Sequence, residues 1–190
     1  MAKFNLYHYI SETSVLGPGK RFVLWVQGCS RRCKGCIAPD AQSGTGTLME
    51  VSEVFSKIKE SKNITGITIS GGEPFEQEEA LCELVKMIKT ETRLDIIVFS
   101  GYLHEELVAK NTVFVNTILQ NIDLLVDGEY KEELNNGEYL RGSSNQRFVF
   151  LSHKFYGLEK DLYSLKNRNF DILIDNNGMI FVAGIPPKKS

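Results

Sequence analysis

The sequence predicts an α/β protein built on a mainly parallel sheet, with a β-hairpin near its C-terminus. Short apolar runs of strand length alternate with stretches whose apolar residues recur at helical spacing, the pattern of strand–helix–strand units. The runs are continuously apolar, as expected of strands covered on both faces. The chain has 190 residues, enough for one sizeable core and too few for two. No repeat, low-complexity segment or linker divides it, so a single domain over 1–190 is expected, with a core of about 15–150 and an extension of about 151–190.

Taken in order, "RFVLWVQG" (21–28) reads as the first strand and "VSEVFSKIKES" (51–61) as a helix capped by Ser52. "ITGITIS" (64–70) is a strand, and "QEEALCELVKMIKTE" (77–91) is an amphipathic helix. "LDIIVFS" (94–100) is the next strand, "HEELVAK" (104–110) a short helix, and "IDLLVDG" (122–128) and "QRFVFLS" (146–152) further strands. A short helix is expected around 159–167. "DILID" and "MIFVA" then flank "NNG" as a hairpin with an asparagine–glycine turn, and "GIPPKKS" reads as an exposed tail.

Hydrophobic residues make up 42% of the chain and charged residues 24%, with net charge −2. That balance gives no bulk electrostatic reason to bind nucleic acid or an anionic membrane. No apolar run reaches the roughly 18–20 residues of a spanning helix, and "MAKFNLYHYISETS" is too polar for a signal peptide. A cytoplasmic location is expected. There, clustered cysteines read as metal ligands or catalytic groups rather than as disulfides.

Three of the four cysteines, Cys29, Cys33 and Cys36, fall within eight residues after the first strand. Cys82 lies at helical spacing among apolar residues and reads as a buried, inert thiol. The C-x3-C-x2-C spacing lets three thiolates converge on one centre. A structural zinc site is one reading, but it normally needs four protein ligands, and His8, His104 and His153 are isolated. A 4Fe–4S cluster held by three cysteines, with one iron left open, is the other and favoured reading. Arg31, Arg32 and Lys34 either offset cluster charge and offer a dock for an acidic electron donor, or form a plain solvated loop face.

In parallel sheets ligands gather at the carboxyl ends of the strands. The cysteine segment, "SGGEP", "SGY" and "DGEYK" each follow a strand and should share one rim. Gly71 and Gly72 allow close backbone approach to a ligand, Glu73 offers an acceptor for an ammonium group, and Pro74 stiffens the exit. Asp127 offers a carboxylate that suits a ribose hydroxyl or an ammonium. "RGSSNQR" (141–147) suits a polar ligand tail or a plain loop, and "GPGKR" (17–21) reads as a rigid entry to the sheet.

Together these segments resemble the radical S-adenosylmethionine superfamily, whose hallmark is CxxxCxxC after the first strand and GGEP after the second. More narrowly, the chain resembles the small activating enzymes of glycyl-radical enzymes, above all the branch acting on anaerobic ribonucleotide reductase. "GPGKRFVLWVQGCSRRCKGC", "ITISGGEPF", "VFSGY", "DLLVDGEYKEEL" and "LRGSSNQRF" carry the resemblance, in order, over about 15–150. It implies a partial, open (β/α)-barrel of the radical SAM type. It also implies that Cys29, Cys33 and Cys36 ligate a 4Fe–4S cluster whose open iron takes the amino and carboxylate groups of S-adenosylmethionine. Gly71, Gly72 and Glu73, with Pro74, would line the methionine amino group; Ser100 and Asp127 would approach adenosine and ribose. Ser144, Asn145 and Arg147 match a polar motif of the activating enzymes and are assigned to the ligand tail.

The implied activity is reductive cleavage of S-adenosylmethionine to a 5′-deoxyadenosyl radical that takes hydrogen from a glycine of a partner enzyme, with no residue acting as general acid or base. A flavodoxin- or ferredoxin-type donor would supply the electron. A sheet of about six strands would leave an open side for a glycine loop. Gly35 stands where many superfamily members carry an aromatic, and "IAPDAQ" replaces the expected aromatic-rich continuation. Two other functions stay open: a radical SAM enzyme acting on a small molecule or ribosomal peptide, and a non-enzymatic metal-binding or electron-transfer protein. The small carboxy-deazaguanine synthases typically continue Cys-Asp-Thr after the third cysteine, and Cys36-Ile37-Ala38 departs from that.

Overall fold

The computed structural model describes residues 2–166, 168–174, 178 and 180–185. In chain order the strands are β1 (Lys3–Thr13), β2 (Arg21–Val26), β3 (Thr47–Glu50), β4 (Gly66–Gly71), β5 (Asp95–Ser100), β6 (Leu124–Asp127), β7 (Arg147–Phe150), β8 (Phe170–Ile174) and β9 (Ile180–Gly184). The helices are α1 (Val51–Glu60), α2 (Glu78–Glu91), α3 (His104–Lys110), α4 (Val113–Asn121) and α5 (Glu159–Ser164). Seven strands form one sheet in the order β3-β1-β2-β4-β5-β6-β7. The central four, β2, β4, β5 and β6, run parallel, while β1, β3 and β7 join antiparallel at the two sides. β8 and β9 pair antiparallel as a separate hairpin.

The continuous apolar runs are explained by cover on both faces. Phe22, Leu24 and Val26 point to a core shared with Val54, Leu81 and Ile118 of α1, α2 and α4. The alternate residues Val23 and Trp25 point the other way, into a cluster with Ala183 and Ile185 from the C-terminal segment. Ile97 and Val126 pack beyond them against Leu140, Phe155 and Leu162. Each fully buried Leu, Ile or Phe stabilises the fold by about 1.5–3 kcal/mol before entropy is counted.

The end of the sheet away from the loops after the parallel strands carries a buried charge. Arg21 is wholly enclosed and donates to Thr68 Oγ1 at 2.7 Å, the Ile67 carbonyl at 2.7 Å and Asp95 Oδ1 at 2.5 Å. Gly66 leaves room for it, since a Cβ there would stand 2.6 Å from the guanidinium nitrogens.

Several expectations need correction. Ser52 does not cap α1; Glu50 holds that position without a side-chain bond, and Ser52 lies inside the helix, where its carbonyl accepts from the Ser56 hydroxyl. The helix expected around 159–167 ends at Ser164. The hairpin is present, but its turn residues Asn176 and Asn177 lie outside the described residues, as does most of the expected tail. β1, β3 and α4 were not foreseen. α4 is capped by Thr112, whose hydroxyl accepts from the Val115 N–H at 3.1 Å. Among the described residues, no helix is long and apolar enough to cross a membrane.

Candidate functional site

The loops after β2, β4, β5 and β6 meet around one cavity of about 390 Å³. Cys29, Cys33 and Cys36 line it, together with Gly71, Gly72, Glu73 and Ser100. The shared rim expected from the topology is therefore present, and it gathers the three thiols with the strand-end glycines.

The cysteine loop is closed at its neck by bonds that involve no thiol. The Gly28 N–H donates to the Ala41 carbonyl at 2.8 Å and the Cys29 N–H to the Gln42 carbonyl at 3.0 Å. Gln27 Nε2 donates to the carbonyls of Asp40 and Ser43 at 2.9 and 2.7 Å. Within the loop, Arg32 (φ +47°) and Gly35 (φ +67°) turn the chain twice through left-handed conformations. Gly35 has a packing reason as well, since a Cβ would lie 2.5 Å from the Glu132 carboxyl carbon. The residue before the third cysteine is thus a glycine chiefly because its backbone is left-handed; the Glu132 side chain beside it could swing aside.

Cys29, Cys33, Cys36 and Cys82 are all free, and only Cys82, in α2, is buried. Partial burial pushes the Cys29 and Cys33 thiols up, so binding a metal centre there releases protons. Arg31 is largely turned inward. It lies 4.8 Å over the Tyr102 ring and faces Glu129 at 3.7 Å. Arg32 and Lys34 are exposed.

The glycine loop rests directly on the cysteine loop. The Gly72 N–H donates to the Val26 carbonyl at 2.7 Å and the Glu73 N–H to the Gly28 carbonyl at 2.8 Å. Gly71 takes φ +104°, and a Cβ would sit 2.5 Å from both the Val26 nitrogen and its oxygen. The Glu73 carboxylate turns inward. It accepts from the Phe75 N–H at 3.1 Å, the Ser100 hydroxyl at 2.9 Å and the Gly101 N–H at 2.7 Å. Its side chain therefore joins the β4 and β5 loops, and its acceptors are already engaged. Pro74 is buried at the start of the short 3-10 turn Pro74–Gln77.

Burial pushes the Glu73 carboxyl up to about 7, against hydrogen bonds from Gly101, Phe75 and Ser100 that favour the charged form. Such a group binds more protons folded than unfolded between its ordinary value of 4.5 and about 7. Stability is expected to fall by about 2–3 kcal/mol as pH rises through that window, and to level off above it. Urea unfolding from about pH 5 to about pH 8 checks this, with Glu73→Gln expected to remove the slope. An equal slope in the variant would assign the effect to another group.

The remaining sequence candidates lie outside the cavity lining. Asp127 is fully buried, accepts from the His104 N–H at 2.8 Å and is bridged by the Arg147 guanidinium, whose Nε donates at 2.9 Å. Arg147 also donates to Glu105 at 2.7 Å. Asp127 and Arg147 thus hold β6, β7 and α3 together. The Ser144 N–H donates to the Leu134 carbonyl, and Asn145 Nδ2 donates to the Glu129 carbonyl at 2.8 Å. From the same stretch, Gly142 and Gln146 reach the lining instead, with Gln146 Nε2 donating to the Gly128 carbonyl at 2.8 Å. Tyr130, Gln42 and Phe181 also line the cavity and were not foreseen.

The donor set fits an iron–sulfur cluster. Three free thiols line one cavity, and Gln42 Nε2 in the same lining is buried without a hydrogen-bond partner. Among the described residues, no three His, Cys, Asp or Glu side chains close on a single metal-ion position, so the thiols are not arranged as a ready mononuclear centre.

Three thiols and a glycine loop on one rim of an α/β sheet are the arrangement an iron–sulfur protein would present. A family model described as a 4Fe-4S single cluster domain matches residues 15–149. Anaerobic ribonucleoside-triphosphate reductase-activating proteins are similar along most of their length. The protein of Enterobacteria phage T4 is 32% identical over 140 residues, covering 70% of this chain and 85% of that protein. The Vibrio cholerae protein is 33% identical over 151 residues, covering 75% and 95%. The Escherichia coli K12 protein is 31% identical over 156 residues, covering 75% and 96%. The chain belongs to this family of activating proteins, which are radical S-adenosylmethionine enzymes with a 4Fe–4S domain.

Proposed function

We propose that this chain binds S-adenosylmethionine at a 4Fe–4S cluster held by Cys29, Cys33 and Cys36 and installs a glycyl radical on anaerobic ribonucleotide reductase or a similar partner. The observation that carries this is the convergence of the three thiols with Gly71, Gly72 and Ser100 on one cavity. When bound, cluster and S-adenosylmethionine together supply an electron and a cleavable carbon–sulfur bond, yielding methionine and a 5′-deoxyadenosyl radical able to take hydrogen from a glycine Cα.

The chain's own residues bind, orient and exclude water. The backbone at Gly71 and Gly72, bare of side chains, is the surface against which a methionine amino group would lie. Glu73 fixes that backbone to Ser100 and Gly101 rather than meeting the ligand with its carboxylate. Gln146 and Gly142, rather than Ser144, Asn145 and Arg147, are the parts of the 141–147 segment that reach the ligand. Asp127 acts through the strand ends it braces. No residue is assigned as general acid or base. The sheet, whose edge strands β3 and β7 do not pair with each other, is read as a partial radical SAM barrel within a single domain. A cytoplasmic location and a flavodoxin- or ferredoxin-type donor reaching the Arg32 and Lys34 face complete the reading.

The test is anaerobic incubation of reconstituted protein with S-adenosylmethionine, a reductant and purified anaerobic ribonucleotide reductase. Methionine release together with a glycine-centred paramagnetic signal on the partner is expected. Methionine release without that signal would reject the activase role and favour a small-molecule or peptide substrate.

A further inference from the structure

One wall of the cavity comes from a part of the chain outside the matched family region, which spans 15–149. Ile180, Phe181, Val182 and Gly184 of β9, with Ile185, line the same cavity as the three thiols. They lie over the sheet face opposite α1, α2 and α4, the face to which Val23 and Trp25 point.

This wall is anchored. The Phe181 ring stands 4.1 Å from His8 and 5.0 Å, edge-on, from Trp25. Ala183 is fully buried, and Ile185 nearly so, among Ile10, Leu16 and Val23. Thr13 Oγ1 donates to Asp171 Oδ2 at 2.5 Å. Arg168, just before β8, reaches the loop opposite: Nε donates to the Glu138 carbonyl at 2.8 Å, Nη1 to Asn135 Oδ1 at 2.7 Å and Nη2 to the Arg141 carbonyl at 2.6 Å. That loop runs on to Gly142, which also lines the cavity and whose carbonyl accepts from Arg168 Nη2 at 3.2 Å. Hairpin and loop therefore form one frame around the thiols.

We propose that the β8–β9 hairpin sets the aperture of the site, with Phe181 as its size-selecting residue: a slender extended segment passes and a bulky group is held back. The proposal rests on the activase reading only in naming what passes, a loop whose reacting residue, glycine, has no side chain.

The test uses cluster-free, reduced protein and needs neither cofactor nor partner. Alkylation of Cys29, Cys33 and Cys36 by iodoacetamide and by a polyethylene glycol maleimide is followed by mass spectrometry, each rate normalised to the urea-unfolded chain. Folded wild type is expected to exclude the bulky reagent at least about tenfold more strongly than the small one. Phe181→Ala should lower that discrimination at least about threefold, while Ile172→Ala, on the exposed outer face of the hairpin, should leave it unchanged. Should Phe181→Ala unfold, seen as labelling of Cys82, Arg168→Ala is the second variant, with the same loss expected. Equal exclusion of the two reagents by wild type would overturn the proposal, as would full discrimination in a folded Phe181→Ala or, in its place, a folded Arg168→Ala. Failure here leaves the activase reading standing, and failure to form a glycine radical leaves the aperture standing.

Discussion

Cys33→Ser is expected to fold as the wild type does and to retain almost no iron–sulfur cluster. A serine hydroxyl ionises far less readily than a thiol and is a hard ligand, poorly matched to an iron site that takes thiolates. With three thiols available in the loop, losing one leaves two ligands, too few to retain the centre. Retained iron and sulfide after anaerobic reconstitution should drop by at least about tenfold, and S-adenosylmethionine cleavage with them. The fold should stay within about 1 kcal/mol of wild type, because the bonds of Gln27, Gly28 and Cys29 that close the loop use no thiol. Cys82→Ser is the comparison. Its thiol lies in the α2 core, away from the cavity, so it should lose about 1 kcal/mol of stability and no iron. Full iron retention by Cys33→Ser would remove Cys33 from the ligand set.

Gly72→Ala is expected to damage the site from the backbone. An added Cβ would stand 2.0 Å from the Gly28 carbonyl oxygen, 2.7 Å from its carbon and 3.0 Å from the Ala41 oxygen. All three are backbone atoms of the cysteine loop or its neck, so no side chain can swing aside. The loops must part, at a cost of about 1–3 kcal/mol in stability. A parting of even about 1 Å also misaligns groups that must meet within hydrogen-bond reach, and turnover should fall by about a hundredfold. Gly44→Ala separates this from mere loss of a glycine. Gly44 has φ +103° but nothing within 4 Å of a Cβ, so it should show backbone strain of about 1 kcal/mol and near-normal turnover. Chemical unfolding and single-turnover cleavage measure the two effects. Gly72→Ala behaving like Gly44→Ala would mean that the loops are not coupled through this contact.

The central strands and the cysteine and glycine loops were legible because their signals are local. Apolar runs mark β2, β4 and β5, and thiols and glycines at strand ends mark the rim. The pattern of β1 is hard to read because a register shift between Leu6 and His8 breaks its alternation: Phe4 and Leu6 face the helix-covered core, while Ile10 faces the cluster on the other side of the sheet. β3 has four residues, too few for any period to show. α4 is rich in β-branched residues that argue against helix, and only Thr112 at its start signals one. Asp127 and Arg147 illustrate another limit. A carboxylate at a strand end looks the same in sequence whether it faces a ligand or a guanidinium, and here the antiparallel partner strand sets Arg147 directly opposite it. The hairpin was foreseen but its position was not, because the Phe181–His8 contact joins residues at opposite ends of the chain and leaves no local trace.

β1 occupies the side of β2 that would otherwise be a bare sheet edge, and β2 is the strand from which the thiol loop springs. A polypeptide trimmed to start at residue 15, where the match to the family model begins, would present that strand's unpaired amides to its neighbours in solution, an invitation to intermolecular pairing. The opening stretch, which carries none of the three thiols, covers that edge.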